Sequence, residues 1–553
     1  MIIAMKTRRA VLMSSVTTLA GASWAEFSAA QNLPVSPVGR GTGKQVDVTA
    51  APWRADPTGS RSATLAIEAA AASLQDGDVL WAPASSAFLI DHPWEAFSDS
   101  DPVDLPGRGR AVVSIIRKRA ITIDFNGSTV RTVNHPIDAK GGLLFAFFKN
   151  APDCRVTGIH FDMSFTGWNT LARRYSLCGG VMAFDKYGGA TPSSTLCSGF
   201  EADHLSFKLF HPQGAFSVTN APHGVDNNNG HKILSVFASG DSAAASEDTQ
   251  NRGLYLHDIT FLDGHNGYGC WGVAYSDARF QQITAKACTG AYYHQPSAKM
   301  AGANFLGPVR YYQYRCKGLE IVGILARSIP YAQRTGAFMG LCGAVHVHSG
   351  LPDNTGGGAV IRNIQAILDG ETTQLGPSFD VGVSSTLSGI VGIEDVRIDC
   401  HTQSAAVGLL LVGNDGSAQS HYRVVQIQGS QRLNGPLIEV LNGSNVSDAR
   451  RTIKSLYIDR PRALGFGSAG SIFMQSAGKT FFGVEKVTIT GGEFSGEKSM
   501  LPGHAINFQG RTDGDTLEVT DCVVKSPVKP ISAGSARLVE RGNEHNNGSG
   551  GER

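Results

Sequence analysis

Leu254-Tyr255-Leu256-His257-Asp258-Ile259-Thr260-Phe261 alternates apolar and polar side chains. Alternation of this kind sends successive side chains to opposite faces of an extended chain, one face buried and one wetted. The same phrase recurs in Ala120-Ile121-Thr122-Ile123-Asp124-Phe125, Cys154-Arg155-Val156-Thr157-Gly158-Ile159-His160-Phe161, Leu319-Glu320-Ile321-Val322-Gly323-Ile324, Val391-Gly392-Ile393-Glu394-Asp395-Val396-Arg397-Ile398 and Val484-Glu485-Lys486-Val487-Thr488-Ile489. Paired phrases return at intervals on the order of 20 to 35 residues with Gly or Asn bends between them, the period of solenoid coils. A β-sandwich would also supply many short strands. The sheer number of strands in one compositionally uniform chain favours an all-β fold, a single-stranded right-handed parallel β-helix over residues 107–545. In such a solenoid each coil pairs with its neighbours, inward residues stack, and outward residues are free for chemistry.

The composition agrees. Of 553 residues, 42% are hydrophobic, 17% are charged and 66 are glycine, which describes a turn-rich globular chain rather than a helix bundle or a disordered one. A net charge of +1, with no block of like charges, gives no footprint for nucleic acid.

Near the start, Lys6-Thr7-Arg8-Arg9 precedes the apolar run Ala10-Val11-Leu12-Met13, which continues weakly to Ala25 and ends in small residues. This reads as an export signal over residues 1–30. The paired arginines and modest hydrophobicity look like a twin-arginine signal, with an ordinary Sec signal as the alternative. Export by this route leads to the bacterial periplasm or beyond. No other stretch has about 18 uninterrupted apolar residues, so the mature chain is expected to be soluble and free of the membrane.

Residues 31–44 read as a linker, 45–106 as an N-terminal cap, and 546–553 as a disordered tail. Within the cap, Thr64 to Leu74 (TLAIEAAAASL) has alanine-rich helical spacing with Asp76-Gly77-Asp78 as its stop. A short helix so placed covers the open end of a solenoid, whose unpaired strand edges would otherwise invite aggregation. Nine cysteines cannot all pair within one chain, and none forms a C-x-x-C motif. They are expected mostly as buried thiols in the inner stacks, with Cys178 and Cys197 the nearest plausible disulfide.

The cap also carries a family likeness. Val46-Asp47-Val48, Asp56-Pro57-Thr58-Gly59, the alanine-rich helix, Gly77-Asp78-Val79-Leu80-Trp81-Ala82-Pro83 and Ile121-Thr122-Ile123-Asp124-Phe125-Asn126-Gly127 follow one another in order. This succession resembles the opening of the pectate-lyase-like superfamily, in its rhamnogalacturonase and epimerase-like branch. It departs at Gly59-Ser60-Arg61-Ser62, where the family has an acidic pair, and at Ala84, where it has glycine. The motifs cover about residues 45–130. The resemblance implies a polysaccharide-acting protein whose substrate lies in a groove across the outward faces of successive central coils.

Taking glycine-led strands as equivalents, that face runs through 181–186, 215–220, 270–275, 309–314, 344–348 and 379–383. With Val309 and Tyr311 inward, Arg310, Tyr312 and Tyr314 project outward; with Val345 and Val347 inward, so do His346 and His348. Neighbouring strands lie about 4.8 Å apart, so these groups can converge on one sugar. The mix suits β-elimination on a uronic-acid polymer, in which Arg310 steadies the enolate-like charge and His346, His348 or Tyr312 handles the protons. The alternative is a merely solvated strand face. Asp263-Gly264-His265-Asn266-Gly267-Tyr268-Gly269-Cys270-Trp271 is the densest polar and aromatic turn and leads into this face, so His265, Trp271 and Tyr275, with Asp185, are expected to contact substrate.

Gly264-His265-Asn266-Gly267 faintly echoes a polygalacturonase element, but that family's remaining motifs are absent. Asp185, Asp263, Asp277 and Glu320 are the carboxylates nearest the face. Asp203-His204 and His257-Asp258 are set aside as dyads, because adjacent strand residues point to opposite faces. No metal site is assigned and no cofactor is required. Calcium remains open at Asn227-Asn228-Asn229-Gly230, which equally forms an ordinary turn. The first reading is therefore a secreted polysaccharide lyase, working as a monomer or small homo-oligomer. A glycoside hydrolase, transferase or epimerase on the same scaffold is the alternative, and a glycan-binding β-helix without catalysis is a third.

Overall fold

The alternating runs become strands of two long sheets, and the chain passes between the sheets once per coil. The computed structural model describes residues 43–91, 111–132, 144–162, 178–184, 197–208, 233–239, 251–262, 267–273, 275–286, 309–313, 318–328, 343–349, 358–368, 381–387, 389–401, 404, 406–412, 420–441, 453–466, 470–474, 484–495, 504–510, 515–525 and 529–546.

The first sheet stacks Gln45–Asp47, Val79–Trp81, Thr122–Thr132, Arg155–Asp162, Glu201–Lys208, Tyr255–Leu262, Ala278–Lys286, Leu319–Arg327, Ala359–Ile367, Gly389–Asp399, Ser420–Gly429, Ile453–Asp459, Val484–Thr490, Thr516–Thr520 and Arg537–Arg541, each parallel to the next. The second sheet stacks Ala111–Ile116, Leu144–Lys149, Cys178–Phe184, Ile233–Ser239, Gly267–Val273, Val309–Gln313, Gly343–Ser349, Val381–Ser385, Val407–Val412, Ile438–Leu441, Ile472–Met474, His504–Gly510 and Lys529–Gly534 in the same way. This is a parallel β-helix, and parallel crossovers of this kind wind right-handed. Pairing begins at Gln45–Asp47, so the first sheet starts well ahead of residue 107.

The core is the inward column of each strand. Val156, Ala202, Leu256, Phe280, Ile321, Ile361 and Ile393 sit at one register position on seven successive coils, all fully buried. A second column begins with phenylalanines: Phe161, Phe207 and Phe261 stack ring on ring at 4.7 and 5.4 Å, extending the edge-on series Phe88, Phe125, Phe145. Cys154, Cys270 and Cys522 are buried thiols within the stacks. Burial pushes Cys522 up to about 11, which leaves it inert at neutral pH.

Between the two columns nine of these first-sheet strands bend through the left-handed region. Asn126, Gly158, His204, Asp258, Gln282, Gly323, Asn363, Asp395 and Gln426 all take positive φ, between 48° and 69°. They form a ladder of left-handed corners, a conformation that Gly, Asn and Asp tolerate best. At Gly158 the position is also crowded, since a Cβ there would meet the Asn126 amide nitrogen at 2.9 Å. Each corner places two consecutive residues on the outside, which breaks strict alternation.

The expected helix forms over Thr64–Ser73, burying Thr64, Ile67, Ala70 and Ala71 and packing against Ala111–Ile116. It stops where Asp78 accepts hydrogen bonds from the Gln75 and Lys44 amides at 2.7 and 2.8 Å. Among the described residues no helix is long and apolar enough to cross a membrane.

Candidate functional site

Strand register aligns the residues singled out on the second sheet. Trp271 pairs with Arg310, Arg310 with His346, and His346 with Ser384. The column continues through Leu410, Glu439 and Phe473. Tyr312 and His348 pair two positions further along, next to Val273. The alternate positions, Val309, Val345, Val347, Val383 and Leu409, belong to the core, and the side chains of Trp271, Arg310, Tyr312 and His348 lie outside the described ones. Among the described residues the thirteen strands of this sheet contain one acidic side chain, Glu439.

That outer face is sheltered. Val381, Val407, Leu410 and Val412 form a buried apolar cluster separate from the core. His346, expected to project into an open groove, is only 1% exposed.

Two expectations are corrected. Tyr275 does not face a groove: the strand ends at Val273, and Tyr275 starts a short corner strand paired with Asn251–Arg252. It is fully buried, and its hydroxyl donates to the Cys197 carbonyl at 3.2 Å. The coil between Cys178–Phe184 and Gly267–Val273 contributes Ile233–Ser239 to this sheet, in the place assigned to 215–220. Asp185, His265, Tyr314 and the Asn227–Gly230 loop lie outside the described residues.

The first sheet carries a second polar constellation, and alternation had concealed it. Asp203, with 0% exposure, accepts a two-pronged contact from Arg155, Nε to Oδ2 at 2.7 Å and an Nη to Oδ1 at 2.9 Å. Thr157 donates to the same carboxylate at 2.7 Å. One coil on, His257 lies between Glu201 at 3.2 Å and Asp258 at 2.7 Å and stacks on the Tyr255 ring at 4.0 Å. His204 bonds to Asp203 and His257 to Asp258, although the partners are adjacent in sequence. The left-handed corners at His204 and Asp258 turn both members of each pair outward, which is why the period-two argument against these dyads fails.

Burial opposes the Asp203 charge, but the Arg155 guanidinium, the Thr157 hydroxyl and His204 outweigh it and hold the carboxyl below its usual range. Burial likewise opposes the charged form of His257, and the Glu201 and Asp258 carboxylates more than offset it, raising the imidazole above its ordinary range. Glu201, Asp203 and His257 offer ligand atoms within 4.8 Å of one another, close enough for a metal ion. Arg155 already reaches both carboxylates, at 2.7 Å from Asp203 and 3.4 Å from Glu201. Its guanidinium supplies the positive charge a cation would bring, so this donor set fits a metal poorly and serves as a buried electrostatic clamp between coils.

Glu439 was not singled out in the sequence. It lies between Leu410 and Phe473 in the outer column, and burial pushes its carboxyl up to about 7. An unfolded Glu titrates near 4.3, so between about pH 4.3 and 7 the native state holds a proton that the unfolded state has lost. Stability must therefore fall as pH rises through this window. Glu439→Gln keeps the shape and removes the titration, so its melting temperature should exceed the wild type's by a margin that grows from pH 5 to pH 8. Thermal unfolding across that range checks this, and a margin independent of pH would refute it.

Comparison with known proteins adds the following. No family model matches the chain, and no curated protein does. Among solved structures it is similar to the A-module of a mannuronan C-5 epimerase from Azotobacter vinelandii, at 10% identity and TM-score 0.48, over 90% of this chain and 98% of that one. It is also similar to the tailspike protein of E. coli bacteriophage HK620 in complex with a pentasaccharide, at 10% identity and TM-score 0.38, over 90% of this chain and 78% of that one. At such distances neither assigns a role to any residue here.

Proposed function

We propose that this chain is an exported polysaccharide lyase that cleaves an acidic polymer by β-elimination on the outer face of its second sheet. The observation that carries the reading is the register column Trp271, Arg310, His346, on a sheet whose described strands hold a single acid. Hydrolysis by the usual route needs two carboxyl groups flanking the scissile bond. Elimination needs a cation at the uronate carboxylate and a base at C5, and this column offers both residue types on adjacent strands about 4.8 Å apart.

In this reading Arg310 pairs with the uronate carboxylate and stabilises the charge that develops as the C5 proton leaves. His346 accepts that proton. The C5–H electrons form the C4–C5 double bond, the C4–O bond breaks, and Tyr312 or His348 protonates the departing oxygen. Trp271 and His265 hold neighbouring sugars, and the N-terminal arginine pair directs export.

The test is incubation of the purified chain with a panel of acidic and neutral polysaccharides, followed by ultraviolet absorbance and reducing-end assays. Elimination creates an unsaturated, absorbing end on an acidic polymer. New reducing ends without absorbance would make the protein a hydrolase, and neither signal would make it a binding protein; both results overturn the proposal.

A further inference from the structure

The inward columns of the first sheet change character on one coil. Ile458, Ile489 and Val519 follow one another at one register position, all fully buried, and the next residue in that column is Glu540. Ala463, Phe494 and Val524 form a second buried column, and His545 comes next in it. Between the two, one position before the Val523 and Glu544 pair, the buried Cys522 meets Asn543. The Asn543 side chain turns back onto the preceding coil, accepting from the Cys522 amide at 3.0 Å and donating to the Val519 carbonyl at 3.2 Å. Three inward positions that are apolar on the coil before are therefore polar on the last described coil, and Glu540 and His545 are exposed. Leu538, which continues the column of the buried Leu517 on the same strand, is 40% exposed.

The strand edge is open on the same side. The Arg537 amide donates to the Asp515 carbonyl at 2.9 Å and the Arg541 carbonyl accepts from the Asp521 amide at 2.9 Å, so the backbone groups of Leu538 and Glu540 point away from the preceding coil. Such an edge is a template for another chain, and an inward-pointing charge is one way of blunting it. We infer that residues 537–546 are a terminating coil, whose polar inward side chains keep this end of the solenoid from joining a second copy of the chain end to end. The inference is independent of the reaction proposed above. Continuing the ladder in parallel would bury the Glu540 carboxylate in the column of Val519, which removes a charge from water. Pairing two such ends antiparallel about Val539 would set Leu538 against Glu540 of the second copy on the inner face, and Arg537 against its Arg541 on the outer face, a like-charge pair. Repeat folds need a polar terminal unit of this kind to stay in solution.

The experiment compares the full-length wild type with Glu540→Val/His545→Phe and, as a control, with Glu518→Val, which makes the same exchange at an outward position one coil earlier. Sedimentation over a range of concentrations reads the mass, and thermal unfolding reads the fold. Wild type and Glu518→Val should behave alike, while the double variant should self-associate about 10²-fold more tightly than either, with a melting temperature no lower than theirs. A double variant that matches the wild type in mass at every concentration overturns the inference. So does equal association of Glu518→Val, which would be a general effect of an apolar surface residue. A fall of several degrees in the double variant's melting temperature also overturns it, since the two side chains would then hold the coil together instead of protecting its end. Wild type that self-associates and is released to lower mass by Leu538→Arg would show this end to be an interface between copies, the opposite of what is inferred.

Discussion

Arg310→Ala is expected to lower turnover on the cleaved polymer by about 10²- to 10³-fold, the loss typical when a donor aimed at developing negative charge is removed. Folding should be unaffected, because the core stack at this coil is formed by Val309, and position 310 pairs in the ladder with positions 271 and 346. Initial rates of ultraviolet absorbance, read beside thermal unfolding of the same sample, test both halves. Turnover near that of the wild type, or a collapse in stability, contradicts the assignment. His346→Ala and His348→Ala should differ sharply, since only one ring can meet the reacting carbon while the other, two residues on, meets a neighbouring group.

Asp203→Ala is expected to cost about 3 kcal/mol of folding stability, toward the low end for breaking a buried ion pair. It deprives Arg155, 20% exposed, of its two-pronged partner and removes the acceptor for Thr157 and His204. Glu201, 3.4 Å from Arg155, retains part of the interaction and keeps the loss from the top of that range. Denaturant unfolding measures it. A loss under about 1 kcal/mol, the range of surface pairs, would show that the clamp is effectively solvent-exposed. Activity toward polysaccharide should be retained in the folded fraction, because the clamp lies on the other sheet.

The solenoid was legible because each strand phrase carries its own burial pattern: Leu254 to Phe261 and Val391 to Ile398 were identified as strands from alternation alone, and both lie in the first sheet. Alternation failed at the left-handed corners. Strict alternation does not anticipate the positive φ at Asp258, which recurs at the matching positions His204 and Gln282 on the neighbouring coils. The Arg155, Asp203 and Glu201 clamp was hidden for a related reason, because Arg155 is 46 and 48 positions from Glu201 and Asp203 and meets them only through strand register. A rule that a polar pair inside an alternating run sits at a corner would have found both dyads.

Tyr275 was misplaced because a strand was extended past its end, and the Ile233–Ser239 strand was passed over because coil lengths vary too much for counting to fix the next strand. Glu439 carries no local signal. A lone acid in Ile-Glu-Val-Leu becomes notable only when the ladder puts it in one column with His346.

The most direct test is a structure of the chain, with His346→Ala to halt turnover, bound to an oligosaccharide of the polymer that it cleaves. The proposed reaction predicts a sugar on the outer face of the second sheet, its carboxylate within ion-pair distance of Arg310 and its C5 facing position 346. A sugar bound over the first sheet, or one whose carboxylate lies away from Arg310, would contradict it.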